Sequence, residues 1–519
     1  MERRRDRLRY LRELNLSAPP AMVTAATERR LAGDWRGACA AALVDVHIDL
    51  RSVASAYGPG QAERIEAELT GFAPDLLRRF LPRSEGRLVP RATVVLSRSD
   101  EPCREAREGS RRQHPVLVAT LPRSWQVARQ GITLQVRHEL PGVFYDLPDW
   151  AWHADAVADR RWVYGAGPDR LPWHFADGSP YPQGTTTPPE QAADRTGEVE
   201  RIGALLAARR AVEAFEAAGF EVKPATDRHY YGPDLPTLLA RMGHTLPVAR
   251  AELLRLARRY QQEDFATPSG LIGVSRLVVR RGSASRADSG PWMFQLPAPA
   301  EVALLRFGDL GPDEVHPLVH EALFPGRSQQ WRAQMPHVPE PIRVRCGTQW
   351  HTVVATGGRL LTPHHGDAEI RREFVLESLG GTIGGCAAAL RGWRTGTRPL
   401  AKDIRKDRQA LFALALHGDT DGLLARLADG LDPGLRGPGG GTLLHWLAHL
   451  DHERLLPVLL GMGLSLEERD HEGRTALHSA AESAAEATMA ALVAAGADPD
   501  ARDLRGRTPA RVLADVRRP

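Results

Sequence analysis

Several features that mark other protein classes are missing from this chain of 519 residues. No run of apolar residues approaches the ~18–20 that a membrane-spanning helix needs, so the sequence predicts no membrane segment. The first residues are basic, but no apolar stretch follows them, and we expect no secretory signal. Together these absences favour a cytoplasmic protein.

Cysteine is also scarce. The four cysteines, Cys39, Cys103, Cys346 and Cys386, lie far apart, and none belongs to a Cys-x-x-Cys pair. A disulfide framework is therefore not expected, and a zinc site with cysteine ligands is disfavoured. The thiols are interpreted as structural groups of a reduced, intracellular protein.

Lysine is nearly absent. Only Lys223, Lys402 and Lys406 are lysines, so 68 − 3 = 65 of the basic residues are arginine, a bias typical of high-GC genomes. The 64 acidic residues almost balance the 68 basic ones. Because electrostatic binding needs a clustered patch, nucleic-acid binding through the arginine-rich segments 3–12 and 391–406 is only a secondary hypothesis.

Familiar catalytic and cofactor motifs are missing as well. The glycine-rich stretch 379–386 lacks the Lys-Ser/Thr pair of a phosphate-binding loop and instead suits a helix pressed closely against a neighbour. His316 and His320 have the spacing of a metal pair on a helix. Pro317 disfavours the α conformation at His316, however, and so excludes it from the helix that carries His320.

A second histidine cluster, His364-His365-Gly366-Asp367, precedes a predicted helix. It is interpreted as a surface turn in which Asp367 caps that helix, rather than as a ligand set. The sequence thus predicts no catalytic residue, no cofactor and no metal, and it favours a non-catalytic protein over an enzyme.

The hydrophobic pattern divides the chain into four parts. Residues 1–90 show helical spacing, and residues 91–390 mix short β-type runs with helices, with room for a sub-boundary near 190–270. Residues 391–407 are basic and are predicted to be a linker to a C-terminal domain at 408–519. The expected fold of the N-terminal part is α+β, with helices and short antiparallel sheets.

Individual elements follow from the same pattern. Strands are predicted at 93–96, 116–121, 132–136, 277–280, 292–296, 302–307, 342–346, 351–355 and 359–361. Helices are predicted at 235–260, at 369–393 and in a long amphipathic stretch that ends at Gly219. Residues 141–188, rich in proline, glycine and tryptophan, are predicted to form an irregular connector.

An internal repeat dominates the C-terminal part. Its period is the separation of matching threonines, 475 − 442 = 33, and the register is kept by Thr442, Thr475 and Thr508, by Gly430, Gly463 and Gly496, by Gly440, Gly473 and Gly506, and by His445 and His478. A repeat of this length predicts a stack of helical hairpins, because a single hairpin cannot bury its own apolar face.

The clearest unit runs from Asp470-His471-Glu472-Gly473-Arg474-Thr475-Ala476-Leu477-His478 to Gly496-Ala497-Asp498 and resembles the ankyrin-repeat consensus almost position for position. The resemblance implies an all-α solenoid with a first repeat at 409–433, a second at 437–469, a third at 470–502 and a half-repeat cap at 503–516. Two departures stand out. The glycine-rich segment 437–441 replaces a regular finger and should be floppy or flat, and Pro457 falls inside an outer helix.

The resemblance also implies residue roles. Gly473 and Gly506 should adopt positive φ at the finger tips, Thr475 and His478 should share hydrogen bonds, and Gly496 should end an outer helix in a left-handed conformation. Leu477, Ala480 and Ala481 should form the face on which neighbouring repeats stack, and Leu492 and Val493 should pack from the outer helix.

Finger and inner-helix positions line the binding groove in this family. Mapped onto this chain they are Trp446, His449, Leu450, His471, Glu472, Arg474, Glu482, Ser483, Leu504, Arg505 and Arg507. Any one of them is equally well interpreted as a solvated rim residue. The array has a second option, which is to dock on the N-terminal domain of its own chain.

The N-terminal region resembles the uncharacterised leader of some bacterial ankyrin-repeat proteins through Gly33-Asp34-Trp35-Arg36 and residues 383–393. That likeness implies no function. The leading hypothesis is a cytoplasmic, non-catalytic adaptor that binds a protein partner through its repeats. The alternative is an enzyme or toxin-like effector with a site in 90–390 that the array targets.

Overall fold

The computed structural model describes residues 4–84, 87–98, 114–122, 131–182, 185, 194–223, 235–242, 246–260, 264–266, 272–275, 278–281, 290–291, 301–331, 341–356, 358–396 and 402–517. The pattern of internal contacts divides the chain into two compact units, and the boundary lies between residues 334 and 335. The predicted linker 391–407 therefore lies inside the second unit. Among the described residues, none of the helices combines the length and apolarity that crossing a bilayer requires.

Helices and strands alternate irregularly in the first unit. Its helices are α1 (Arg4–Ser17), α2 (Pro20–Leu31), α3 (Trp35–Ala41), α4 (Leu50–Tyr57), α5 (Pro59–Thr70), α6 (Pro74–Phe80), α7 (Val157–Val163), α8 (Arg195–Ala207), α9 (Ala211–Ala217), α10 (Leu235–Met242), α11 (Leu246–Tyr260), α12 (Glu301–Arg306) and α13 (Pro317–Leu323). Its strands are β1 (Val44–His47), β2 (Arg83–Ser84), β3 (Arg87–Leu88), β4 (Thr93–Arg98), β5 (Val116–Thr120), β6 (Ile132–Arg137), β7 (Val143–Asp146), β8 (Glu221–Lys223), β9 (Asp264–Ala266), β10 (Ile272–Ser275), β11 (Val278–Arg281) and β12 (Gly290–Pro291).

The central sheet of the first unit has the strand order β1-β6-β5-β4-β7-β12. Its middle strands β6, β5 and β4 pair antiparallel, whereas β1 with β6, β4 with β7 and β7 with β12 pair parallel. The prediction of antiparallel sheets is thus wrong for the outer pairs. Parallel partners such as Val44 and Ile132 are joined by long connections, and local sequence patterns do not reveal such pairings.

Both faces of this sheet are covered. Val94 and Leu96 of β4 join the large core of helices on one face, while Val95 joins Phe144 and Tyr260 on the other. This two-sided burial explains why β4 and β5 appear as continuous apolar runs rather than alternating ones. The predictions of strands at 93–96, 116–121 and 132–136 are confirmed.

The segment predicted to be an irregular connector contributes to the core. Trp150 and Trp152 are buried in the main cluster. The buried Arg160 of α7 donates hydrogen bonds to the carbonyl oxygens of Trp150 at 3.0 Å, Ala154 at 3.4 Å, Leu318 at 3.4 Å and His153 at 2.6 Å. One guanidinium thereby satisfies backbone groups that a buried irregular chain leaves without partners.

A smaller four-stranded sheet, β8-β11-β10-β9, lies in the described residues after α9. The helices α8 to α11 form a separate apolar cluster with Phe215, Leu239 and Leu253. The single amphipathic helix predicted to end at Gly219 is instead two helices, because Arg209 takes a left-handed conformation with φ of 61°.

Two other predicted strands have different outcomes. Residues 302–307 were expected to be a strand, but residues 302–306 lie in α12, where Val302, Leu304 and Leu305 pack into the main core. A short apolar run does not distinguish a buried strand from a buried helix, which explains the error. The strand predicted at 292–296 lies outside the described residues.

The position of His316 agrees with the prediction from the sequence. It is the N-cap residue of α13, with φ of −48° and ψ of 135°, so the prediction that Pro317 keeps it out of the helix of His320 is confirmed. Its Nε2 lies 2.9 Å from Oδ2 of Asp75, and both side chains are buried.

The second unit begins with a β-meander followed by helices. Its strands are β13 (Ile342–Cys346), β14 (Gln349–Thr356) and β15 (Arg359–Leu361), paired antiparallel in that order as predicted. Its helices are α14 (Asp367–Ser378), α15 (Gly385–Thr395), α16 (Lys402–His417), α17 (Thr420–Ala428), α18 (His452–Gly461), α19 (Ala476–Glu482), α20 (Glu486–Ala494) and α21 (Pro509–Arg517), with a 3₁₀ helix at Leu443–His449.

The stretch predicted as one helix, 369–393, is two helices. α14 ends at Ser378, Gly380 has φ of 91°, and α15 starts at Gly385. Gly366 rather than Asp367 is the N-cap of α14, so that prediction is wrong by one position. The glycine-rich stretch is a break between helices, but its end does approach a neighbour closely, as described below.

Helical hairpins follow one another from α16 onward. The inner helices α16, Leu443–His449, α19 and α21 each contact the next one along the chain, and the outer helix α18 contacts α20. Leu477, Ala480 and Ala481 of α19 are buried, so the predicted stacking face is confirmed. Of the two outer-helix residues, Leu492 is buried, but Val493 is 45% exposed.

The apolar core of this unit extends beyond the repeats. One continuous cluster joins Val353 and Leu360 of the meander and Trp393 of α15 to Phe412 of α16 and Leu477 of α19. The meander and α15 therefore cover the start of the repeat stack.

Threonine and histidine link successive repeats. The Thr475 backbone N–H donates to Nδ1 of His478 at 3.2 Å, and Nε2 of His478 lies 2.9 Å from the carbonyl oxygen of Arg507 in the next repeat. Thr442 and His445 make the same contacts one repeat earlier, with the Arg474 carbonyl 3.0 Å from Nε2. The predicted local network is confirmed, and each histidine also bridges to the following repeat.

We predict that Leu477→Ala lowers the free energy of unfolding by about 2–5 kcal/mol, because it opens a cavity where inner helices meet. Leu477 is 1% exposed. The measurement is urea unfolding of the full chain followed by circular dichroism. Leu504→Ala is the matched control, since Leu504 is 78% exposed and its loss should change stability by less than about 0.5 kcal/mol. Equal effects of the two variants would contradict the stacking face.

We also predict that acid weakens the repeats. Burial lowers the pKa of His445 below its ordinary value, against the opposing effect of its bond to the Arg474 carbonyl. As pH falls below about 6.5, the unfolded chain takes up the proton before the folded one does, so the free energy of unfolding falls.

Urea unfolding between about pH 7.5 and about pH 5.5 tests this, since that range brackets the ordinary histidine pKa. Burial also lowers the pKa of His174 and, to about 4, that of His316 in the first unit, so wild type alone is not diagnostic. His445→Gln should show a shallower pH dependence than wild type. Identical slopes would show that His445 does not contribute.

Candidate functional site

The finger of the third repeat is a tight turn organised by one carboxylate. Oδ1 of Asp470 accepts hydrogen bonds from the backbone N–H groups of Glu472 at 2.8 Å and Arg474 at 2.9 Å, and its Oδ2 accepts from Nε of Arg474 at 2.8 Å. Gly473 has φ of 72°, a conformation that other residues adopt only at a cost, so the predicted role of this glycine is confirmed.

The following finger has the same arrangement one repeat later. Asp503 accepts from the backbone N–H groups of Arg505 and Arg507 at 2.9 and 2.8 Å and from Nε of Arg507 at 2.9 Å, and Gly506 has φ of 73°. Hydrogen bonds from both backbone groups and an arginine hold the pKa of Asp503 below its ordinary value, although burial opposes them. The Asp503 carboxylate thus remains charged and keeps its turn closed.

Backbone hydrogen bonds connect neighbouring fingers. The N–H of Leu504 donates to the carbonyl of Glu472 at 2.9 Å, and the N–H of His471 donates to that of Gly439 at 2.8 Å. The second bond is the equivalent of the first, shifted by one repeat. The segment Gly437–Gly441, expected to be floppy or flat, is therefore a closed turn in register with the other fingers, with a 3₁₀ turn at Pro438–Gly440.

Three arginines at the same position of successive repeats, Arg436, Arg469 and Arg502, link the fingers, and we call them the arginine ladder. Nη1 of Arg436 donates to the carbonyls of Gly440 and Arg469, both at 2.8 Å, and Nη1 of Arg469 donates to those of Gly473 at 2.9 Å and Arg502 at 2.6 Å. Arg502 continues the series with a bond of 3.0 Å to Gly506. Sequence analysis did not single these arginines out, although they recur once per repeat in the chain.

The predicted groove residues differ in their exposure. His471, Glu472, Leu504 and Arg505 are exposed at the finger tips, while Trp446, His449, Arg474, Glu482 and Arg507 are half-buried. Leu450 and Ser483 are only 2% and 8% exposed. Their side chains therefore support the fold and do not offer contact area to a partner.

Arg474 is held by three carboxylates. Besides Asp470, its Nη1 lies 2.9 Å from Oε2 of Glu482 and 3.8 Å from Oε2 of Glu472. Nη2 of Arg505 lies 3.9 Å from the same oxygen of Glu472. Charges of both signs therefore alternate along the fingers and inner helices. The exposed Leu504 directly precedes Arg505 in the chain, and its backbone N–H bonds to the carbonyl of Glu472.

An aromatic group lies on the inner helices of the first two repeats. The ring of Trp446 is 6.0 Å from that of Phe412 and 5.9 Å from that of His449, measured between centroids. A Cβ at Gly437 would lie 2.8 Å from the Phe412 ring, so the glycine allows the chain to pass close to these side chains.

A different cluster lies in the meander and α15. Cys346, His351, His365 and Cys386 each offer one potential ligand atom, and these atoms lie within 4.8 Å of one another. Among the described residues, this is the group of histidine, cysteine and carboxylate side chains that could hold a metal ion. Sequence analysis interpreted the cysteines as structural and His364-His365 as a surface turn. The turn is present, but the ring of His365 packs on His351.

Spacing explains why these four residues were missed. Cys386 follows Cys346 by 40 residues and His365 follows His351 by 14, so only Cys346 and His351 (351 − 346 = 5) are close in the sequence. The antiparallel register of β13 and β14 and the start of α15 bring them together. Burial and the adjacent Cys346 raise the pKa of the Cys386 thiol to about 12, so without a cation nearby it stays protonated.

A comparison with known families adds one result. A family model described as ankyrin repeats matches residues 411–503, in three copies. No curated protein matches the chain. The match covers the hairpins from α16 to the start of the last finger and agrees with the register of the repeat, the closed finger turns and the threonine–histidine bonds. Residues 411–503 of this chain are ankyrin repeats.

Proposed function

We propose that this chain is a cytoplasmic, non-catalytic adaptor whose ankyrin repeats bind a protein partner. Ankyrin repeats are generally protein–protein interaction modules. The observation that carries the proposal is the exposed row at the tips of the last two fingers: His471, Glu472, Leu504 and Arg505. We call these four residues the finger-tip row.

The finger-tip row is preorganised. Asp470 and Asp503 close the two turns, and the Leu504–Glu472 backbone bond aligns them. Side chains on a fixed backbone lose less conformational entropy when a partner binds. Leu504 is 78% exposed, and an apolar side chain flanked by charges matches the apolar centre and polar rim of protein interfaces.

The inner helices extend this surface. Trp446, His449 and Glu482 are half-buried, which leaves part of each side chain for contact. Tryptophan and arginine are enriched among residues that dominate binding energy. Arg474 is already paired with Asp470 and Glu482, so we assign it to shaping the surface rather than to direct contact.

The charge pattern favours a protein over a nucleic acid. Binding to phosphate needs a clustered basic patch, but the finger-tip row contains Glu472 beside Arg505. In the arginine-rich segments, Arg7 pairs with Asp309, Arg391 with Glu377, and Arg394 with Asp432 at 3.2 Å. These arginines are already engaged within the chain.

Affinity capture with matched variants tests the proposal. The finger-tip variant combines His471→Ala, Leu504→Ala and Arg505→Ala in the full chain. The control combines Val458→Ala, Met462→Ala and Val493→Ala, three exposed residues of the outer helices. We expect wild type and the control to retain the same protein partner. The finger-tip variant should bind this partner at least about tenfold more weakly, which corresponds to about 1.4 kcal/mol of binding free energy.

Circular dichroism of the three proteins should be identical, because every substituted side chain is exposed. If the finger-tip variant still captured the partner and the outer-helix variant did not, the binding surface would lie elsewhere. Capture unaffected by either variant would contradict binding through the fingers.

A further inference from the structure

We propose that Cys346, His351, His365 and Cys386 bind one zinc ion in a closed, structural site. The four residues come from β13, β14, the turn before α14 and the first turn of α15. Two thiolates and two imidazoles are a ligand set that zinc prefers, and four protein ligands leave no open position for catalysis.

The distances suit a tetrahedral ion. Nδ1 of His351 lies 2.8 Å from Nε2 of His365 and 3.9 Å from Sγ of Cys386, and no pair of the four ligand atoms is more than 4.8 Å apart. In a zinc site with bonds of about 2.0–2.3 Å, neighbouring ligand atoms are separated by about 3.3–3.8 Å. The observed set therefore needs shifts of about 1 Å or less to surround an ion.

Outer contacts orient both imidazoles. Nε2 of His351 lies 3.3 Å from Oε1 of Gln349, and Nδ1 of His365 lies 3.1 Å from Oε1 of Glu369. With each ring N–H directed at its oxygen, the tautomers that zinc ligation requires, lone pairs remain on the two nitrogens that face each other across 2.8 Å. A cation between these two nitrogens stabilises that pair of tautomers. A carboxylate or amide oxygen behind each ligating histidine is the arrangement that zinc sites use.

The backbone around Cys386 allows the two sulfur atoms to approach and stabilises negative charge on them. Gly385 has φ of 56°, and a Cβ at this position would lie 2.1 Å from Sγ of Cys346, so only glycine permits the approach. The N–H of Cys386 donates to the same sulfur at 3.0 Å. Both that N–H and the positive end of α15, a helix of 11 residues, stabilise negative charge on sulfur.

Two other occupants of this cluster are less suitable. An N–H shared by His351 and His365 would satisfy their short contact, but it would not engage either thiol. A disulfide between Cys346 and Cys386 would use the sulfurs but leave the histidines facing each other. Zinc satisfies all four groups at once, and its two positive charges balance two thiolates.

The site would tie the meander to α15. These elements share one apolar core with Phe412 of the first repeat, so zinc would stabilise the part of the unit that covers the repeat stack. Binding converts two thiols to thiolates and releases two protons per ion, which gives a readout independent of any activity.

Metal analysis of the full chain, purified under reducing conditions from zinc-supplied cells, tests the proposal. We expect about one zinc per chain. After zinc is removed, Co²⁺ should give the visible spectrum of a tetrahedral site with thiolate ligands. Titration of the metal-free chain with Zn²⁺ should release about two protons per ion.

Variants separate this site from adventitious binding. Cys386→Ser and His365→Gln should lose bound zinc. His364→Gln and Cys39→Ala should keep it, because His364 stacks on His351 without joining the cluster and Cys39 lies in the first unit. Glu369→Gln should weaken zinc affinity by about 10- to 100-fold, since this carboxylate only orients a ligand.

The wild-type spectrum and the Glu369 variant keep the test valid if a ligand variant fails to fold. A wild-type chain that neither retains zinc nor gives a tetrahedral cobalt spectrum would overturn the proposal. So would full zinc content in Cys386→Ser, or a Cys346–Cys386 disulfide in chains alkylated at lysis.

Discussion

A hairpin of two short helices cannot bury its apolar face by itself, and the second unit depends on this constraint. Burial of Leu477 and its neighbours requires the helices before and after α19. The hydrogen bonds from His445 and His478 to the carbonyls of Arg474 and Arg507 fix the register in which those helices meet. The same register aligns the arginine ladder and the finger turns, so the position of each exposed side chain at the tips follows from packing underneath.

The sequence predicted the parts of the fold that local patterns determine. The constant period of matching threonines, glycines and histidines specified the repeats, and alternating turns and apolar runs specified the meander. It failed where tertiary contacts decide. Residues 302–306 are helical because the core accepts an apolar helix face, and the buried Trp150 and Trp152 lie in an irregular segment whose backbone carbonyls Arg160 helps to satisfy. The parallel pairing of β1 with β6 depends on a connection too long for sequence patterns to show.

The candidate sites also combine features that local sequence patterns reveal with features that depend on tertiary contacts. The fingers could be located from sequence because glycine and aspartate have fixed roles in tight turns, but the burial of Leu450 and Ser483 depends on neighbouring elements. The cysteine–histidine cluster could not be found, because its members are brought together by strand pairing and a helix start rather than by spacing. The glycine-rich stretch before Cys386 was the one local signal. It was interpreted as a closely packed helix, and only its end, at Gly385, lies close to a neighbour.

The core that the repeats share with the meander determines where the chain can be cut. Arg359 donates to the carbonyl of Gly430, Nε of Arg408 donates to the carbonyl of Trp393 at 2.7 Å, and Gly358 lies against Leu431. A fragment that began at residue 408 would lose these partners and expose Phe412 to solvent. A fragment that began near residue 341 would keep them, so the smallest folding piece that contains the repeats is larger than the repeats themselves.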